Sequence, residues 1–65
     1  MDAEELLREA EAGDLAATTA LGIRLLVGRD APFEPERGAK LIAAAVERGD
    51  AQAMSVMATL KGAGA

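Results

Sequence analysis

The sequence predicts an all-α chain of four short antiparallel helices, and three observations point there. Alanine and leucine dominate the 65 residues and Phe33 is the only aromatic, a vocabulary rich in helix formers and poor in residues that favour strands. Glycine and proline cut the chain into four pieces, at Gly13, across the connection 28–35, and at Gly49. A short phrase is also spelled twice: "EAGDLAAT" from Glu11 and "ERGDAQAM" from Glu47 match at Glu11/Glu47, Gly13/Gly49, Asp14/Asp50 and Ala17/Ala53, a step of 49 − 13 = 36 residues each time.

The first helix is expected over about 2–12. Asp2 with Glu5 three positions on has the form of a capping box, and Glu4 with Arg8 makes an i,i+4 pair in the favoured order. Ala3, Leu6, Leu7 and Ala10 share one face, and Gly13 ends the helix as a left-handed glycine does. Asp14 then caps the second helix, expected over 14–27. Ala17, Ala20, Leu21 and Leu25 line one side of it, while Leu15, Gly22, Ile23, Leu26 and Val27 carry apolar surface round the rest. A helix apolar nearly all round packs on more than one side, so the second helix is expected between neighbours.

In the connection "GRDAPFEPERG", Gly28 stops the helix, Pro32 fixes a turn and Pro35 suits the first turn of the next. The third helix is expected over 35–48, with Gly38, Leu41, Ile42 and Ala45 inward and Glu36, Lys40 and Glu47 outward. Gly49 ends it and Asp50 caps a fourth helix over 50–61. The repeated phrase therefore marks one joint made twice, in which a helix ends on Gly and Asp at once caps the next. Gly13, Asp14, Gly22, Gly28, Gly49 and Asp50 are read as structural joints.

Several functions lack their chemistry here. The chain has no Cys, which excludes disulfides and thiolate metal sites and suits a reducing compartment, and no His, the commonest general base. A net charge of −4 argues against nucleic acid. The first fourteen residues carry more than the whole excess, −5, with Asp2, Glu4, Glu5, Glu9, Glu11 and Asp14 against Arg8 alone, and the rest of the chain is +1; the acidic stretch reads as a solvated helix. The N-terminus has no signal-peptide pattern and the longest apolar stretch, broken by Arg24, is too short to span a membrane, so a cytoplasmic protein is expected. Ser55, Thr18, Thr19 and Thr59 have no imidazole to activate them, and Asp14 and Asp50 read as caps rather than metal ligands. Neither catalytic residue, cofactor nor metal is expected.

The wording of the repeat resembles the Sel1-like repeats, relatives of the tetratricopeptide family with a longer loop. "GDLAATTALG" (Gly13 to Gly22) fits the first part of that pattern. "GRDAPFE" (Gly28 to Glu34) stands where a G-x-G-V-P loop would be, with Asp30 at its second glycine, and "AAAVERGDAQAM" (Ala43 to Met54) carries the second joint. The chain departs from the pattern in lacking its aromatic residues, in having Gly38 where Ala is usual, and in having Ala58 at the second unit's Gly. The resemblance implies two helix–turn–helix units of an α-solenoid and a non-catalytic protein–protein interaction scaffold. Its partner would dock along the inner curve, on Arg8, Glu11, Lys40, Ala44 and Glu47.

The last helix carries Met54, Val56, Met57 and Leu60, more apolar surface than a terminal unit should show. This face is expected to stack on a further repeat or on another copy of the chain. A second reading makes the chain the N-terminal array of a longer enzyme whose catalytic domain lies beyond it.

Overall fold

In the computed structural model, which describes residues 2–64, the chain folds into α1 (Ala3–Glu11), α2 (Leu15–Val27), α3 (Pro35–Glu47) and α4 (Ala51–Gly64). No strand occurs among the described residues, and the fold is all-α. No helix among them is long and apolar enough to cross a membrane.

The helix starts follow from their capping residues. The Asp2 carboxylate accepts the Glu5 N–H at 2.8 Å, Asp14 accepts that of Ala17 at 2.9 Å, and Asp50 accepts that of Ala53 at 3.1 Å. Each cap is worth about 1 kcal/mol. α3 opens differently: Glu34 gives no side-chain cap, and Pro35 takes the first helical position, where its missing N–H costs nothing.

The two Gly-Asp joints are built alike. Gly13 N–H bonds Ala10 O and Asp14 N–H bonds Glu9 O; thirty-six residues on, Gly49 N–H bonds Val46 O and Asp50 N–H bonds Ala45 O. Both glycines take left-handed φ values, +99° and +89°, which is what this C-terminal motif requires. Each Asp thus closes one helix with its N–H and opens the next with its carboxylate. Gly28, at φ +70°, ends α2 in the same hand.

α4 runs to Gly64, beyond the expected end at 61. The residues after Leu60 bring no proline, and Gly62 keeps a helical backbone rather than the positive φ that stops α1, α2 and α3. The Glu4–Arg8 pair does not form; the ion pair found among the described residues joins Arg37 to Glu34 at 3.2 Å. Both members of the expected pair are exposed, where such contacts contribute little.

α2 lies at the centre and touches the other three helices, α3 most extensively. Its Ala17, Leu21 and Leu25 join Leu6 of α1 in one buried cluster. Its Leu15, Ile23 and Leu26 pack on a second cluster of Ile42, Ala45 and Ala53 from α3 and α4. The apolar surface all round α2 is used on both sides. Two buried pairs, Leu6/Ile42 and Ala17/Ala53, stand 36 residues apart, so the sequence step reappears in the core.

Gly22 is not a joint. It lies buried in the middle of α2, where the helix crosses α3 against Gly38. A Cβ on Gly38 would stand 2.7 Å from the Gly22 carbonyl oxygen and 2.9 Å from the Leu26 nitrogen. Absence of side chains lets the two backbones meet, and it turns Ile42 and Ala45 fully inward.

Candidate docking groove

The backbones of α1 and α3 stay apart; both helices lean on α2. Between them lies an open groove of about 380 Å³. Its floor is Thr18 and Leu21 of α2. Leu7, Ala10 and Glu11 form the α1 wall, and Arg37, Leu41, Ala44 and Arg48 form the α3 side. The α3 residues recur at i, i+4, i+7 and i+11, a single helix stripe with a guanidinium at each end and apolar groups between.

The groove is held in shape from both ends. Arg48 donates to the Gly13 carbonyl at 2.7 Å, tying the end of α3 to the first joint. At the other end Arg37 pairs with Glu34 at 3.2 Å, an exposed contact that contributes little, and the Glu34 N–H returns to Leu25 O of α2 at 3.0 Å. In the floor, the Thr18 hydroxyl donates to Asp14 O at 2.9 Å, so this buried polar group is satisfied within its own helix.

Of the expected inner-curve residues, Glu11 and Ala44 line the groove. Arg8, Lys40 and Glu47 are exposed but do not line it. The cause is rotational. With Gly38, Ile42 and Ala45 turned to the core, the groove stripe of α3 falls on 37, 41, 44 and 48. Lys40 and Glu47 then sit roughly 80° further round, on the outer side. Arg37 and Arg48 were missed because sequence alone does not set this rotation; their i, i+11 spacing on the stripe of Leu41 and Ala44 is the signal that finds them.

The expected stacking face divides as well. Val56 and Leu60 line a second groove of about 500 Å³ with Ile23, Leu26 and Val27 of α2 and with Pro35. Met57 is half-buried against the Ile42 cluster, and Met54 is left exposed at 47%.

The three threonine hydroxyls are hydrogen-bonded within the fold. Thr19 is wholly buried and donates to Asp50 Oδ2 at 2.5 Å, and Thr59 donates to Ser55 O at 3.1 Å. Among the described residues no three acidic side chains gather so as to hold a cation. What the groove can do chemically is bind: it offers a floor of Thr18 and Leu21, largely apolar walls, an arginine at each end and one acid.

No family model, curated protein or solved structure matches the chain.

Proposed function

We propose that the chain is a non-catalytic docking scaffold, built as two antiparallel helix–turn–helix units of a Sel1-like α-solenoid, that holds a partner segment between α1 and α3. The observation that carries this reading is the open groove itself. Two helices whose backbones stay apart stand on a third and leave Leu7, Ala10, Leu41 and Ala44 facing a space a peptide can enter. The 36-residue correspondence of joints and buried positions supports the two-unit architecture. So does the connection after α2. Gly28 and Asp30 are both left-handed, at φ +70° and +55°, and they fall where the resembling pattern carries its two glycines. An acidic, His-free and Cys-free chain whose buried hydroxyls are hydrogen-bonded within the fold suits binding rather than turnover.

A peptide-display selection against the folded chain tests the reading, followed by competition and one blocking variant. Ala44 is exposed on the groove wall, so Ala44→Gln adds bulk there while keeping a good helix former. Selected peptides are expected to compete for one site and to lose roughly tenfold or more in affinity for Ala44→Gln. Binders indifferent to Ala44→Gln, or no binders at all, would contradict the reading.

A further inference from the structure

We propose that a second copy of this chain covers the groove between α2 and α4, and that each copy inserts Phe33 into the groove of the other. This surface is separate from the α1–α3 groove and does not depend on it.

Three large apolar side chains stand well exposed among the described residues, and two of them, Val27 at 61% and Phe33 at 67%, lie at or next to this groove. Val27 and Pro35 line it, and Phe33 is two residues from Pro35 on the connection between α2 and α3. The groove holds about 500 Å³ and, besides the Ser55 and Thr59 hydroxyl residues, is lined by Ile23, Leu26, Val56 and Leu60. No charged residue lines it, in a chain that is 28% charged. A concave apolar site and a protruding aromatic side by side suit a two-fold interface, where residue i meets j and j meets i.

Phe33 is also held in place. Its Cβ stands 3.0 Å, and its ring 3.4 Å, from where a Cβ on Gly28 would be, so the ring lies over that glycine. The next residue, Glu34, is pinned to α2 through Leu25 O. A knob fixed before binding loses little freedom on docking, and a large aromatic is the usual anchor of an interface.

Charge selects a second copy as the occupant. The same connection carries Arg29 and Asp30, both exposed, so two copies related by a two-fold axis can oppose Arg29 of one to Asp30 of the other. α1 carries −3 of the net −4, with Glu4, Glu5, Glu9 and Glu11 against Arg8, and its helix–helix contacts are with α2. From Ala51 to Gly62 the sole charged residue is Lys61. Two copies can therefore bring their α4 helices together without opposing acid to acid.

Light scattering over a concentration series from about 1 μM to 1 mM, spanning common interface affinities, reads the mass directly. The full chain is expected to pass from monomer to dimer and no further, because an isologous contact closes. Phe33→Ala and, separately, Thr59→Lys, which places a cation in the apolar groove from an exposed position, are expected to weaken the dimer roughly tenfold or more. Circular dichroism of both variants should match that of the parent. In a dimer of mixed isotope labelling, nuclear Overhauser contacts are expected from the Phe33 ring to the Val56 and Leu60 methyls across the two-fold. A monomer at every concentration overturns the proposal, as does a dimer that neither substitution weakens, which would put the contact elsewhere.

Discussion

Asp14 and Asp50 occupy the same place in the repeated phrase, yet their carboxylates hold different things. Asp14 is exposed and caps α2. Asp50 is half-buried and its Oδ2 accepts twice, from the Ala53 N–H and from the wholly buried Thr19 hydroxyl. A hydrogen bond to a charged group contributes about 1.5–3 kcal/mol, and losing the acceptor would strand a buried hydroxyl. Asp14→Ala is therefore expected to cost about 1 kcal/mol, and Asp50→Ala about 2–3 kcal/mol. Urea unfolding of the two variants measures both. A double-mutant cycle with Thr19→Val should return a coupling of about 1 kcal/mol between Thr19 and Asp50. Equal losses for the two aspartates would contradict this account.

The α2–α3 crossing carries the corresponding argument for elements. Alanine is the better helix former by about 1 kcal/mol, and propensity alone would make Gly38→Ala a gain. The crossing reverses the sign, because the new Cβ would meet two backbone atoms that no rotamer change can move. Gly38→Ala is expected to cost about 1–3 kcal/mol, whereas Gly62→Ala, with nothing within 4 Å, should gain up to about 1 kcal/mol. Thermal melts of the pair check the contrast, and a stabilised Gly38→Ala would show that the helices stand further apart. The same crossing explains what the sequence could and could not reveal. The joints were legible because Gly followed by Asp has one local meaning, and the central place of α2 was legible because its apolar residues leave no polar face. The rotation of α3 was not. Leu41 and Ile42 are adjacent and both aliphatic, and whether the helix buries one or the other is decided by the contact of Gly38 with Gly22, 16 residues earlier in the chain. That single turn moves the groove stripe from Lys40 and Glu47 to Arg37 and Arg48.

Across the whole molecule, the two joints are linked to the rest by long-range bonds: Arg48 reaches the Gly13 carbonyl, and Thr19 reaches Asp50. These contacts help a chain whose core is two small clusters to hold one shape, with principal extents of 33 × 24 × 15 Å. In so thin a body, little wider than one helix with its side chains, every helix keeps a face to solvent. The α1–α3 groove and the α2–α4 groove are two such open surfaces, proposed for a partner segment and for a second copy respectively. An amide chemical-shift map of the labelled chain, titrated with a peptide selected to bind it, decides whether the α1–α3 groove is the docking site. Shifts clustering on Leu7, Ala10, Leu41, Ala44 and Arg48 are the predicted result. Shifts clustering instead on Ile23, Leu26, Val56 and Leu60, with the α1–α3 groove silent, would contradict it and move the docking site to the other side of the molecule.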